Sequence, residues 1–381
     1  MRFPASVGRT AAVARKEGLH ILRDARSLAL ALAMPVMMLL LFGYALTLDI
    51  DRVPTLIYDQ DQSPESRELT ARFAGSRYFQ IIGEVDDYAP VERMIDQGVC
   101  TLALVIPRDY SRDVNSGREA RVQLLVDGSN SNTASISMSY ADALVRSYSF
   151  ELQTKAMTRK GGGKLNPPVE AQTRVWYNPM LQSKNYIVPG LIAVILMIIS
   201  AMLTSLTVSR EWETGTMEQL LSTPVRAHEI VLGKMTAYFV LGFIDTLIVL
   251  AVGVLLFGVP LRGNPLLVLL SSCIFLLGAM FSGIYISAAN RTQLQAYQLG
   301  LLLSFLPTFL LSGFVYAIEN MPVVLQVLSY VFPARYFIKI VRGIFLKGVG
   351  YEVLWPEVLL LVIYAAVLFW ASTRKLRAKL A

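Results

Sequence analysis

Only two cysteines, Cys100 and Cys273, and two histidines, His20 and His228, occur in 381 residues. That scarcity excludes a disulfide scaffold, a thiolate metal cage and a multi-histidine metal centre. Charge is short as well, at 17% of residues against 54% apolar, with a mean hydropathy of +0.49. Soluble globules carry about a quarter charged residues, so lipid must be part of this chain's solvent, and so much apolar content excludes disorder. The signatures of catalysis are missing too. There is no G-x-S-x-G elbow or H-E-x-x-H helix, and Gly161-Gly162-Gly163-Lys164-Leu165 lacks the spaced first glycine and the hydroxyl residue of a phosphate-binding loop. No catalytic, cofactor-binding or metal-binding residue is assigned, and an enzyme is not expected.

What charge there is sits at the ends. The net charge is +7, yet residues 1–27 hold Arg2, Arg9, Arg15, Lys16, Arg23 and Arg26 against Glu17 and Asp24, and 374–381 add Arg374, Lys375, Arg377 and Lys379 without an acid. The ends therefore account for all of the excess. Two basic flanks of a membrane protein explain it better than a groove for nucleic acid, and no nucleic-acid partner is expected.

Apolar runs long enough to cross about 30 Å of hydrocarbon occur at 28–48, 186–208, 235–259, 266–289 and 297–318, with a sixth at 353–373 that includes Pro356 and Glu357. Six crossings put both termini on one side, and basic flanks are retained in the cytoplasm. Residues 209–234 then form an inner loop and 374–381 a basic cytoplasmic tail. Residues 319–352 lie outside, where Arg335, Lys339, Arg342 and Lys347 suggest the polar edge of a re-entrant or interfacial helix.

Residues 49–185 are different in kind. Strand-like runs at 55–58, 79–82, 102–106 and 122–126 alternate with helical stretches at 65–74, 89–97 and about 132–156, which reads as an α/β domain outside the membrane. Lys160 to Lys164 and Asn166-Pro167-Pro168 read as a return linker. The expected fold is an α-helical polytopic membrane protein with six transmembrane helices and an inserted extracytoplasmic α/β domain.

Three features bear on function. In the inner loop, Thr216 and Gln219 have capping-box spacing, so a short helix should begin after Gly215 and stop before Pro224. Residues 1–27 form an amphipathic helix on whose apolar face lie Ala11, Ala14, Gly18, Ile21, Leu22 and Ala25, suited to the inner leaflet and to anionic membrane lipid. Asp245 falls near the centre of the third span, where a carboxylate is costly, so it either lines a substrate pathway or makes a packing hydrogen bond.

The run Ser209-Arg210-Glu211-Trp212-Glu213-Thr214-Gly215-Thr216-Met217-Glu218-Gln219-Leu220-Leu221-Ser222-Thr223-Pro224 resembles the E-R-E-x-G-T-x-E-x-L-x-x-T-P segment of ABC-2 type transporter permeases, with Trp212 where a polar residue is more usual. Arg15-Lys16-Glu17, Leu22-Arg23-Asp24 and Met34-Pro35 resemble the family's approach to its first span, and Phe332-Pro333-Ala334-Arg335-Tyr336 with Arg342-Gly343 its turn before the last. The resemblance covers essentially the whole chain and is closest to the YhhJ/YbhS-like multidrug-type branch. It implies the transmembrane half of an ATP-driven exporter whose ATPase, with its ATP and Mg, is a separate polypeptide. In such permeases the loop after the second span is a coupling helix that docks on the ATPase. This carries to Arg210, Glu211, Glu213, Gly215, Thr216, Glu218, Thr223 and Pro224, while residues 1–27 correspond to the connecting helix.

The expectation is a permease of the bacterial inner membrane, working as a dimer with a second copy or a sister permease. It would export amphipathic drug-like or lipid-like molecules, with a periplasmic adaptor as a partner for the outer domain. The rivals are a lipid or polysaccharide exporter of the same superfamily and a membrane-anchored extracytoplasmic binding or sensory protein without transport.

Overall fold

The computed structural model describes residues 5–46, 52–159, 176–178 and 182–380. The expected linker at 160–168 and the end of the first apolar run lie outside them. The chain divides into two units, Leu48–Thr173 and the remainder.

The first helix, α1 (Ala5–Arg23), gives way at Asp24 to α2 (Ala25–Ala45). α1 packs on protein through a face that sequence reading did not identify. Val13 and Glu17 are buried, whereas Ala11 and Leu22 are exposed. The buried face is set by a protein neighbour described below, and it leaves the apolar stripe through Ala11 and Leu22 uncovered. Pro35 is accommodated within α2, whose Leu30, Met37 and Leu41 face outward.

In the second unit a mixed four-stranded sheet has the order β2-β1-β3-β4, with β1 Val53–Asp59, β2 Phe79–Glu84, β3 Leu102–Ile106 and β4 Gln123–Val126. β1 pairs parallel with β2 and β3, and β4 is antiparallel to β3. Every residue of the central β3 is buried, which is why its sequence is a continuous apolar run rather than an alternating one. The helices α3 (Pro64–Ala74), α5 (Tyr110–Ser116) and α6 (Ser131–Arg159) supply Leu69, Phe73, Tyr110 and Tyr148 to one face of the sheet. α4 (Tyr88–Asp96) covers the other, with Val91 on Leu56 and Ala103. The short α5 follows no apolar periodicity, and sequence reading did not find it.

The first unit resumes with α7 (Ser183–Ser205), α8 (Thr207–Glu213), α9 (Thr216–Leu221), α10 (Ala227–Leu255), α11 (Pro265–Ala289), α12 (Gln293–Leu311), α13 (Val323–Ser329), α14 (Pro333–Arg342) and α15 (Tyr351–Leu380). Six helices among the described residues are long and apolar enough to cross a membrane. α7 is the hub, packed against α2, α10, α11, α12 and α14 and buried along nearly its whole length. Small residues allow this closeness. A side chain at Gly283 would collide with Thr204 and the Ala201 backbone of α7.

Boundaries differ from expectation where local chemistry intervenes. α7 stops at Ser205, and the Ser287 hydroxyl of α11 accepts the Val208 and Ser209 amides, both at 2.9 Å, so that α8 starts as a separate helix. α12 ends at Leu311 because Gly313 turns the chain at φ +80°. α15 runs through the basic segment at 374–380 without a break, anchored by the fully buried Leu376.

Between them, α13 and α14 bend by 84°. At 1.5 Å per residue neither can cross alone. The cations here have partners, while Lys347 and the Lys339 side chain remain exposed. Arg335 stacks on Tyr330 at 3.8 Å, Lys339 pairs with Glu357, and the half-buried Arg342 lies over Tyr186 at 3.5 Å and donates to the Gly313 carbonyl at 2.8 Å.

Candidate coupling site

At one end of the spans α8, α9 and α10 meet α1. Lys234, near the start of α10, is 1% exposed, and a lone ammonium there would be prohibitively desolvated. It is matched. Its Nζ lies 2.8 Å from Glu17 Oε1 of α1 and 3.0 Å from Glu211 Oε1 of α8, and it donates to the Thr207 carbonyl at 3.2 Å. Lys16 closes the group from the outer side, 2.6 Å from the same Glu211 oxygen. Two ammoniums and two carboxylates from three helices thus form a neutral cluster, in which the second Glu211 oxygen has no hydrogen-bond partner among the described residues.

The charges set one another's titration. Burial alone would push the Glu17 carboxyl up, but the charge and hydrogen bond of Lys234 outweigh it and hold the group below the ordinary glutamate range. Burial likewise opposes the Lys16 ammonium, and Glu211 reverses the effect, raising Lys16 above the ordinary lysine range.

A second clamp lies about two turns back along α1. Arg9 forks onto Glu229 through two nitrogens at 2.9 and 2.6 Å, and Glu229 also accepts the Arg226 amide at 2.9 Å, closing the first turn of α10. Between the clamps Gly233 lets the helices touch, since a side chain there would fall within 2.9 Å of Val13 and the Thr10 carbonyl. These contacts explain the unexpected buried face of α1.

Above the cluster the chain turns outward. Gly215 adopts φ +73°, a left-handed conformation that glycine takes without strain, and α9 starts at Thr216. The expected capping box does not form. Thr216 is the first helical residue rather than the cap, and its hydroxyl lies 3.0 Å from that of Thr214. Met217 is fully buried and pins the short helix, while Gly215, Thr216, Glu218, Thr223 and Pro224 are exposed. Glu213 is exposed too, but its carboxylate accepts the Gln293 amide at 2.7 Å at the start of α12, a favourable place for negative charge. Of the eight residues singled out, Arg210 and Glu211 turn inward and the other six lie on the surface.

The sequence model for ABC-2 family transporter proteins matches residues 26–374. The chain belongs to the ABC-2 transporter family. A probable multidrug ABC transporter permease of Escherichia coli K12, YbhS, is 34% identical over 371 residues, covering 96% of this chain and 97% of its own. YbhR of the same strain, named likewise, is 34% identical over 365 residues with the same coverage. The inner membrane transport permease YhhJ is 27% identical over 335 residues, 86% of each chain.

This ABC-2 permease is a transport protein and not an enzyme. Among its described residues no three His, Cys, Asp or Glu side chains are grouped to hold a metal ion. Asp245 is 1% exposed within α10, and neither carboxylate oxygen has a hydrogen-bond partner among the described residues. The packing hydrogen bond weighed from the sequence is not made among the described residues.

Sequence reading missed five residues of the site. Lys16 and Glu17 were noted only as flank charges and as part of a motif, and Arg9 only as a flank charge. Lys234 and Glu229 carried no signal, because the Arg9–Glu229 pairing spans 220 positions and the Glu17–Lys234 pairing 217.

Proposed function

We propose that this permease is the membrane half of an ABC exporter, driven by a separate ATPase that binds ATP and Mg and docks on the surface formed by Glu213, Gly215, Thr216, Glu218, Thr223 and Pro224. The observation that carries the reading is a short exposed helix, α9, attached to a buried charge cluster that ties α1, α8 and α10 together. A lever must be rigid to transmit force. A docking helix whose foot is ion-paired to two other helices moves them when it moves, and ATP supplies the energy through its differential affinity for two states of the complex.

The orientation that fits places both termini and this surface in the cytoplasm of a bacterium, with the α/β unit of Leu48–Thr173 beyond the inner membrane, where it would receive a periplasmic adaptor. Two copies, or one copy and a sister permease, would enclose the path. The multidrug designation of YbhS and YbhR and the apolar span walls favour amphipathic drug-like or lipid-like cargo.

The test is a pull-down of the detergent-solubilised protein from its native host beside a Glu213→Lys, Glu218→Lys double variant. Wild type should bring down an ATPase with vanadate-sensitive hydrolysis, and the variant should lose both. A wild type that retains no ATPase would overturn the reading in favour of an anchored binding protein. Crosslinking from positions 52–159 in cells should capture an envelope protein if the adaptor role holds.

A further inference from the structure

A cavity of about 320 Å³ lies beside the coupling site, between α1, α2, α7, α8, α10 and α12. That is within the range of small-molecule sites. Its walls are aliphatic where the spans form them, with Leu28 and Met34 of α2 facing Met202 and Leu203 of α7 and Leu241 of α10. Polar groups gather at one end, where Arg210 of α8 meets His20 of α1. The cavity is thus amphipathic along its length.

Arg210 is the unusual member. Its guanidinium lies 2.8 Å from His20 Nε2 and donates to Gln293 Oε1 at 3.4 Å, and neither partner is a carboxylate. Arg9, Lys16 and Lys234, the cations that tie α1 to α8 and α10, each meet a carboxylate within 3.0 Å. Among the described residues Arg210 meets none. Asp24 also lines the cavity, but it is engaged with a partner of its own. A half-buried guanidinium with spare donors and no counter-ion, at the mouth of an aliphatic slot, matches a carboxylate or phosphate on an apolar tail.

The approach is sideways. Leu30 and Met34 of α2, both in the wall, are 69% and 46% exposed on a helix that is mostly outward-facing, so a molecule lying in the adjoining leaflet reaches the slot without crossing water. We propose that this cavity binds an anionic amphipath drawn from the leaflet beside α1, its anion on Arg210 and its tail between α2, α7 and α10. Arg210 precedes the clustered Glu211 in α8, so an occupant touches the helix that carries the docking turn. That the occupant is cargo rests on the exporter reading; that it binds does not.

The full chain, reconstituted without ATPase in phosphatidylcholine nanodiscs, is irradiated with a diazirine-bearing palmitic acid or with its methyl ester, and labelled peptides are mapped by mass spectrometry. The acid should label residues 28–34 and 199–206, and the ester should label them about tenfold less, the loss of one charge-assisted hydrogen bond. Arg210→Gln should reduce acid labelling by the same factor. Leu203→Trp, which fills the slot and leaves the charge, should abolish labelling by both probes. Equal labelling by acid and ester in the wild type, which needs no variant to fold, overturns the proposal, as does labelling confined to other segments. Displacement of the probe by added phosphatidylglycerol assigns the site to a bilayer lipid, and its persistence assigns it to single-chain amphipaths. Because no ATPase is present, this outcome is independent of the pull-down.

Discussion

Glu17 and Lys234, 217 positions apart in the sequence, meet at 2.8 Å in a site where both are all but excluded from solvent. Each offsets the cost of burying the other. The N-terminal helix is therefore fixed to the helix that follows the docking turn by charge as well as by packing.

Lys234→Met removes the buried cation and leaves Glu17 and Glu211 to share Lys16 alone. The expected loss is roughly 3–5 kcal/mol, the usual result of breaking a buried pair from one side. Thermal unfolding in detergent measures it. Adding Glu17→Gln to Lys234→Met should recover part of the loss, and a double variant no more stable than the single one would show that the carboxylates are not the source of the strain.

The pair also fixes a pH dependence. Glu17 titrates below its ordinary range in the folded protein, so its contribution is complete above the unfolded value near about 4.3 and is lost as pH falls through the lower folded value. Lys16 is raised, so its contribution is complete below about 10.4 and is lost as pH climbs through its higher folded value. The stability gap between wild type and Glu17→Gln should be constant near neutrality and close in acid. A gap that widened in acid would reverse the sign and refute the assignment.

Gly233→Leu should detach α1 without touching any charge, since Val13 and the Thr10 backbone occupy the space its side chain needs. The expected readout is protease cleavage within residues 5–23, with the α/β unit still resistant.

Glu218→Lys should weaken ATPase capture while leaving the unfolding temperature unchanged, because Glu218 is exposed and makes no side-chain ion pair among the described residues. Glu213→Lys should weaken capture and also lower the unfolding temperature, because its carboxylate receives the Gln293 amide. Comparing the two separates loss of docking from loss of the α8–α12 link. Salt should weaken capture by the wild type more than by Glu218→Lys.

The substrate-pathway role proposed for Asp245 predicts that Asp245→Asn alters export of some cargo while the protein still inserts and binds its ATPase. Unchanged export across a panel of cationic, neutral and anionic amphipaths would end that proposal. The variant removes an ionisable group without changing its shape, and the carboxylate it replaces makes no hydrogen bond that could be lost among the described residues.

The sequence by itself determined six apolar helices and the four strands, because hydropathy over about 20 residues and buried β-rich runs are local properties. It also determined the family, through the order of short motifs along the chain, and the start of α9 after Gly215. Tertiary structure alone decided which face of α1 is buried. The periodicity of residues 1–27 favoured a lipid-facing stripe through Leu22, whereas Gly233 and Lys234 offered Val13 a groove and Glu17 a counter-ion. It likewise decided that Arg210 and Glu211 turn inward while Glu218 stays out, and that Arg210 meets His20 and Gln293 where its neighbour Glu211 meets two lysines. Charge matching acts across space and carries no periodicity along the chain, so a residue's partner, and with it much of its role, is fixed only when distant helices meet.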